Sequence, residues 1–334
     1  MMGILLFRPT VSLAQAQKPG DLTEESALPK EFSLENGLKV CLFPYSRPQL
    51  ATVVLGVKVG VADEAPETNG HLHLLEHCLL FRQSHLVENE HLYQTIKEFG
   101  LYYNGHTEQD LMLFEICLPL EVLLSGLDLL KQVVFSFNIT EEALEKEKKV
   151  LLKELLDVHR DPQKVGLAKA YELAFPNTGY ALPVYGQEEV IRKANLSQLQ
   201  GWHQKYFSPD NSALVVVGKF SPKDLEESLK QIFSDLKPGG KKVSRVPPGH
   251  KSLNPSQLVE LKMNVADTYL MAALAGPEYN NPDRIGLDLL SEMLGYGLYP
   301  LLYSAFAGQT DLVSSINLHY LSHDRAGFFS LFFY

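Results

Sequence analysis

Hydrophobic and polar positions along this chain change period several times, and the changes predict alternating strands and helices. Short apolar or alternating runs that are bounded by turn residues are typical of strands. We assign strands to 31–33, 38–44, 51–61, 101–104, 111–118 and 212–217. The Asn36-Gly37 pair between the first two runs favours a hairpin.

Apolar residues spaced three and four apart predict helices between and after these strands. The predicted helices cover 90–99, 120–135, 141–160, 165–174, 196–206 and 222–236. Thr140 is placed to cap the third of them, and acidic residues fill that helix's first turn. The mixture of the two patterns indicates an α+β fold.

A linker divides the chain into two parts of unequal length. Residues 237–255 are dense in proline, glycine and lysine, and a strand pattern at 268–275 and a helix pattern at 283–294 come after them. This order repeats the beginning of the first part, so we predict one domain over 31–236 and the start of a second over 256–334. A half-repeat would leave an open apolar sheet edge, and we therefore expect the second domain to be incomplete in this chain.

The first 30 residues differ in character from the rest of the chain. A short apolar run precedes an A-x-A-like site at 14–16, as in a signal peptide, and residues 17–30 are polar. Arg8 and Pro9 interrupt the apolar run and no basic residue precedes it, so a disordered tail is the alternative. The expected location is periplasmic or secreted, with cytoplasmic as the alternative.

Charge and hydropathy exclude two classes of partner from the prediction. The net charge of −10 argues against nucleic acid. No apolar run approaches the roughly twenty residues that span a bilayer, so we predict no integral membrane segment.

The motif His73-x-x-Glu76-His77 is the strongest chemical signal in the sequence. Residues four apart share one helix face, so both imidazoles can reach one zinc ion while Glu76 stands beside them as a base. Six of the eleven histidines fall within 71–106, so composition alone is an alternative source of the pattern. The surrounding leucines predict a buried helix, however, where two histidines and a glutamate would be costly without a shared metal.

A third ligand is expected on the helix predicted at 141–160. Glu147 and Glu154 are seven residues apart and therefore lie two turns apart on one face. Most of this helix fits a solvated surface with Glu and Lys pairs, and Glu154 is the residue that we except from that interpretation.

These residues resemble the pitrilysin/insulinase family of inverted-motif zinc metallopeptidases, which includes the mitochondrial processing peptidases. The resemblance covers 31–236 and includes NGHT at 104–107, YALPVYG at 180–186, YFSPDN at 206–211 and VVVG at 215–218. It implies that His73, His77 and Glu154 bind one Zn²⁺ per catalytic domain and that Glu147 supports the site.

The family resemblance also implies a duplicated metallopeptidase domain in which each copy is a mixed, mainly antiparallel sheet covered by helices. The second copy would bind no zinc. Leu301 stands where the family's second copy often has an arginine, and we place neither the arginine nor the tyrosine that hold substrate. A complementary second half, a partner subunit or a homodimer is therefore expected to complete the active site.

Asn104 and Gly105 align with the family's substrate-pairing strand, and Gly105 has no side chain to keep a second backbone away. The alternative is that Asn-Gly forms only a hairpin turn. The predicted function is a zinc endopeptidase of peptides or unfolded polypeptides, with Glu76 as general base. A non-catalytic, peptide-holding family member is the alternative from a different class, and a metal-storage or sensing protein is a third.

Overall fold

A computed structural model describes residues 28–45, 49–81, 102–239, 257–295, 301–307 and 313–334. The signal-like start, the helix predicted at 90–99 and most of the linker predicted at 237–255 lie outside these ranges. Among the described helices, none is both long enough and apolar enough to cross a membrane.

The first sheet in the described chain has six strands in the order β1-β2-β6-β3-β5-β4. The strands are β1 Lys30–Ser33, β2 Lys39–Pro44, β3 Leu50–Val57, β4 Tyr103–Thr107, β5 Met112–Pro119 and β6 Ser212–Gly218. Only the β2–β6 pair is parallel. The prediction of a mixed, mainly antiparallel sheet is confirmed, and β4 lies at its edge.

Helices cover this sheet and bury its alternating apolar side chains. The described helices are α1 His71–Phe81, α2 Leu123–Phe135, α3 Glu141–Val158, α4 Pro162–Ala174, α5 Glu188–Lys193, α6 Leu196–Tyr206, α7 Pro222–Ile232, α8 Arg284–Gly295 and α9 Leu301–Ala307. The Thr140 hydroxyl accepts a hydrogen bond from the Ala143 amide, which confirms the predicted cap of α3. Leu72, Leu74 and Leu79 of α1 are fully buried.

The second sheet repeats part of the first. Its strands β7 Leu270–Gly276, β8 Ile316–Ser322 and β9 Gly327–Phe333 pair antiparallel in the order β7-β9-β8. This is the order of β3-β5-β4, and in both sheets a helix comes after the first of the three strands. The predicted duplication is therefore visible in topology, although α8 carries no H-x-x-E-H motif.

The end of one strand differs from the prediction for a physical reason. The strand predicted at 51–61 ends at Val57, and a 3₁₀ turn lies beyond it at Val61–Asp63. The amides of Val61 and Ala62 donate to carbonyls of the β4–β5 hairpin instead of extending the strand. A Cβ on Gly60 would lie 2.4 Å from the Gln109 carbonyl oxygen, so glycine permits this close approach.

A polar cluster joins the two sheets. The Asp110 carboxylate accepts hydrogen bonds from the Tyr180 hydroxyl at 2.6 Å and the Asp324 amide at 2.9 Å. His323 Nδ1 lies 3.6 Å from the same carboxylate, and its Nε2 lies 2.7 Å from the Tyr171 hydroxyl. The β4–β5 hairpin and α4 are thereby tied to the turn between β8 and β9.

We expect Asp110 to make stability depend on pH. Burial acts to raise its pKa, but His323, the Tyr180 hydroxyl and the Asp324 amide outweigh burial and lower the pKa to about 2. Because the folded pKa lies below the unfolded one, this stabilisation is complete above the unfolded pKa, about pH 4, and is lost as pH falls towards 2. Asp110→Asn should lower the free energy of unfolding at pH 7 by on the order of 2 kcal/mol. Urea unfolding should show a smaller difference at pH 3, and a constant difference would contradict the assignment.

Candidate metal centre

Three side chains of α1 converge on one point. Ligand atoms of His73, Glu76 and His77 lie within 4.8 Å of one another, and all three residues are buried. The i and i+4 spacing brings the two imidazoles together edge to face, with their ring centroids 5.0 Å apart. The leucines on the other faces of α1 fix it against the sheet, so the cluster is held on a rigid element.

His77 contacts a carboxylate with each ring nitrogen. Its Nε2 lies 3.4 Å from Glu154 Oε2, and its Nδ1 lies 3.5 Å from Glu147 Oε2. With a hydrogen on Nδ1 directed at Glu147, Nε2 is the nitrogen that faces Glu154 and the interior of the cluster. Glu147 and Glu154, which lie two turns apart on α3, therefore contact opposite nitrogens of the His77 ring.

Burial distinguishes Glu147 from most of the other charged residues of α3. The Glu147 side chain is 4% exposed, whereas the Glu154 side chain is 38% exposed. Glu141 and Glu142 of the first turn are exposed, as the solvated-surface alternative predicted for most of this helix. That alternative does not describe Glu147, which is buried against α1.

His73 is oriented by a backbone group. Its Nδ1 lies 3.5 Å from the Tyr185 carbonyl oxygen, and its ring meets the Tyr185 ring edge-on at 5.8 Å. Because a carbonyl oxygen only accepts, this contact favours the hydrogen on Nδ1 and leaves Nε2 as the free electron pair. Both histidines thus present the same nitrogen to the cluster.

Among the described residues, Glu76 has a hydrogen-bond donor on one carboxylate oxygen and none on the other. The Thr107 hydroxyl donates to its Oε2 at 2.6 Å, which fixes the carboxylate. Burial raises the Glu76 pKa, and the Thr107 hydrogen bond and the charge of His77 partly offset this rise. A buried carboxylate with a raised pKa accepts a proton more readily than an exposed one.

Burial is the main reason that His73 is neutral. Burial and the neighbouring His77 lower the His73 pKa to about 4, so its Nε2 is unprotonated at neutral pH. Burial also opposes protonation of His77, but hydrogen bonding to Glu154 and the surrounding carboxylates outweigh it and raise the pKa. Hydrogen bonding to His77 lowers the Glu154 pKa, and the carboxylate is therefore ionised at neutral pH.

The donor atoms match the requirements of zinc. Zinc binds imidazole nitrogen and carboxylate oxygen at about 2.0–2.2 Å, and tetrahedral geometry then separates ligand atoms by about 3.3 Å. The 3.4 Å separation between His77 Nε2 and Glu154 Oε2 fits this value. Glu154 is not among the three residues that converge within 4.8 Å, and it reaches the centre through its approach to His77.

Asn104 and Gly105 lie inside edge strand β4, where they pair with Glu115 and Phe114 of β5. The chain reverses later, where the Glu108 amide donates to the Leu111 carbonyl, so the hairpin-turn alternative is wrong. Strand pairing outweighs the local turn preference of Asn-Gly.

Gly105 lies directly beside the candidate base. A Cβ at this position would lie 2.4 Å from Leu80 Cδ1 and 3.1 Å from Glu76 Cγ. The absence of a side chain therefore allows α1 to pack close to β4. From the sequence alone, the glycine was instead attributed to the close approach of a substrate backbone. A Cβ at this position would require the Leu80 side chain to move and Glu76 to shift by a few tenths of an ångström.

Sequence reasoning did not single out Thr107 or Tyr185 as contributors to this site. Both fall in stretches that carry the family resemblance, at 104–107 and 180–186, and that resemblance was the available signal. A backbone carbonyl such as that of Tyr185 leaves no trace in residue identity, so sequence alone does not reveal its contact with His73.

Comparisons with known proteins match two family models to successive parts of the chain. Residues 42–188 match the family model described as Insulinase (Peptidase family M16), and residues 193–334 match the model described as Peptidase M16 inactive domain. Together the two models account for most of the chain.

Individual relatives include a named zinc protease and a subunit of the cytochrome b-c1 complex. The chain is 27% identical to zinc protease PqqE of Helicobacter pylori, with 88% of this chain and 68% of that protein covered. It is 24% identical to cytochrome b-c1 complex subunit 1 of Bos taurus, with 93% and 62% covered. The chain spans about half to three-quarters of the length of the curated relatives that it matches.

Solved structures share the fold. A protease from Helicobacter pylori superimposes with a TM-score of 0.81 at 24% identity, and 91% of this chain and 74% of that chain are covered. At this identity the match establishes the fold, and the chemistry must be argued from the residues of the site.

Proposed function

Because the chain belongs to the insulinase family, peptidase family M16, we propose that it is a zinc-dependent endopeptidase of peptides or unfolded polypeptides. The observation that carries this proposal is the buried Glu76 carboxylate, which shares one cluster with His73 and His77 and is fixed by Thr107. A site that only stored or sensed metal would need no such oriented base. Zinc is also part of the name of the Helicobacter relative.

In this proposal His73, His77 and Glu154 hold one Zn²⁺ through two imidazole nitrogens and one carboxylate oxygen. Glu147 holds the His77 ring from its other nitrogen, which is how residues behind a ligand orient it. When bound, zinc would lower the pKa of a water molecule and polarise the scissile carbonyl.

Glu76 would move the proton. Since Thr107 occupies Oε2, the other oxygen, Oε1, is the one available to take a proton from the attacking water. Glu76 then returns that proton to the leaving amine. Burial of Glu76 and its hydrogen bond from Thr107 support this role, because the carboxylate is both oriented and raised in pKa.

Edge strand β4 is proposed to hold substrate through Asn104 and Gly105. An edge strand has one side without a neighbour in the sheet, and an extended peptide can pair there by β-augmentation. The position of Gly105 beside Glu76 would bring such a peptide close to the base. Main-chain pairing favours unfolded peptides over folded proteins.

The working unit in this proposal is the zinc-binding domain at 31–236, joined by a linker at 237–255 to a second family domain from 256 that binds no zinc. A complementary half, a partner subunit or a second copy would supply the remaining substrate contacts. Two of the relatives are named as subunits, which supports the proposal that a second half or partner completes the site. A periplasmic or secreted location is proposed from the signal-like start.

A non-catalytic subunit is the second candidate. It is favoured by the match of residues 193–334 to an inactive-domain model and by the bovine respiratory subunit among the relatives. The complete motif on α1 favours the enzyme, since a purely structural subunit has no need for an oriented Glu76.

Zinc content and peptide cleavage test the proposal together. We expect the purified chain, paired with its complementary half where one is needed, to bind about one zinc and to cut a quenched fluorescent unfolded peptide. A chelator should abolish cleavage, and added zinc should restore it. Methylating the peptide's backbone nitrogens near the cleavage site should weaken cleavage if β4 pairs with substrate. Zinc binding without cleavage by the complete assembly would instead support the non-catalytic subunit.

A further inference from the structure

Glu64 is a buried carboxylate outside the metal cluster. It is 6% exposed and lies in the loop that leads into α1. Its Oε1 accepts a hydrogen bond from the Leu72 amide at 2.8 Å. Its Oε2 accepts from the Gly70 amide at 3.0 Å and from Asn69 Nδ2 at 2.9 Å. Glu64 thus satisfies backbone donors at the start of α1, where a helix has no intrahelical acceptors for them.

The same start of α1 is joined to the segment 183–187. The Asn69 side chain donates to the Pro183 carbonyl at 3.1 Å, and the Gln187 amide donates to the Asn69 carbonyl at 3.1 Å. Asn69 therefore connects Glu64 to this segment through both its side chain and its backbone.

Two glycines let the segment and the helix start touch. Gly70 and Gly186 both adopt positive φ, at +108° and +84°, which side-chain-bearing residues rarely accept. A Cβ on Gly186 would lie 2.4 Å from the Gly70 Cα. The two backbones are in direct contact, and this contact sets the distance between the segment 183–187 and the start of α1.

The segment 183–187 also contacts His73, because the Tyr185 carbonyl oxygen lies 3.5 Å from His73 Nδ1. The position of that carbonyl depends on the contacts at Gly186 and Asn69, and these depend on Glu64. The result is a continuous set of contacts from a buried carboxylate to one imidazole.

We propose that Glu64 and the segment 183–187 form a clamp that sets the ring orientation of His73 and keeps its hydrogen on Nδ1, so that Nε2 faces the metal. This inference rests on the proposed zinc function. Glu64 and Gly186 act here as positioning residues, because they reach the metal centre only through Asn69, Tyr185 and His73. A plain helix cap would stabilise α1 without affecting metal binding.

Glu64→Gln is the mild variant. The glutamine side chain has the same shape, but its NH₂ group would face either the Leu72 amide or the two donors at Gly70 and Asn69. Either orientation opposes donor to donor, and we expect this to loosen the clamp. Gly186→Ala acts independently, by pushing the Tyr185 segment away from Gly70.

Zinc affinity and the His73 tautomer are the readouts. Competition with a chromophoric chelator should give a zinc Kd about 10- to 100-fold weaker in each variant, the range typical for partners of metal ligands. Nitrogen-15 NMR of the zinc-free protein should show a His73 Nδ1–H tautomer in the wild type and a mixture in both variants. Ser221→Ala is the matched control, because Ser221 caps α7 away from the site and should lower stability without changing either readout.

The outcomes separate this inference from the zinc function. A wild type that binds no zinc would overturn the proposed function, while the tautomer measurement would still test the clamp. Folded variants with wild-type zinc affinity and an unchanged His73 tautomer would overturn the clamp and leave Glu64 as a helix cap. If Glu64→Gln does not fold, Gly186→Ala decides the matter with the same two measurements.

Discussion

Glu76→Gln should keep zinc in place and lower kcat/KM on peptides by about 10²- to 10⁴-fold, the usual contribution of a positioned general base. The glutamine carbonyl oxygen can still accept the Thr107 hydroxyl, so the side chain should hold its place. Its NH₂ group would then occupy the position of the carboxylate oxygen that takes the proton, and an amide nitrogen does not accept one. Zinc affinity should change little, because Glu76 is proposed as base and not as ligand.

Glu142→Gln is the matched control for this measurement. Glu142 is an exposed glutamate in the first turn of α3, so the same chemical change there should leave both zinc content and turnover at wild-type values. If Glu76→Gln turned peptides over at the wild-type rate, the proton would have to be taken elsewhere and the assignment of Glu76 would fall.

Local sequence patterns predicted the elements that build the site. The leucines around His73 and His77 make that segment apolar on most sides and predicted the buried helix α1. The cap at Thr140 and the apolar period after it predicted α3. The spacing of Glu147 and Glu154 followed from helix geometry once α3 was assigned. These inferences needed no tertiary information.

Local sequence patterns did not predict the contacts between segments that are distant in sequence. Asn104-Gly105 has the local preference of a turn, yet pairing with β5 extends β4 through both residues. In the sequence Glu64 looks like an ordinary acidic loop residue, and only the folded structure shows that it accepts a hydrogen bond from the Leu72 amide of α1. In both cases the partner is a backbone group of a different segment. Because every residue has such a group, the sequence does not show which segments will pair.

Glu154→Gln and Glu147→Gln should separate a metal ligand from its support. The two residues stand on the same helix and approach opposite nitrogens of His77 at similar distances, 3.4 Å and 3.5 Å, so the pair is closely matched. Loss of Glu147 should weaken zinc binding about 10- to 100-fold, as expected for a residue that orients a ligand.

Loss of Glu154 should weaken zinc binding beyond that range, because a neutral amide replaces a charged ligand and the metal keeps only two imidazoles. The exposure of the two residues also predicts opposite effects on stability without metal. Glu147 is almost fully buried beside His77, so its substitution should destabilise the zinc-free fold, whereas the more exposed Glu154 should matter little there. Zinc titration and thermal unfolding of the metal-free variants measure both quantities. Equal zinc affinities for the two variants would refute the assignment of Glu154 as ligand and Glu147 as support.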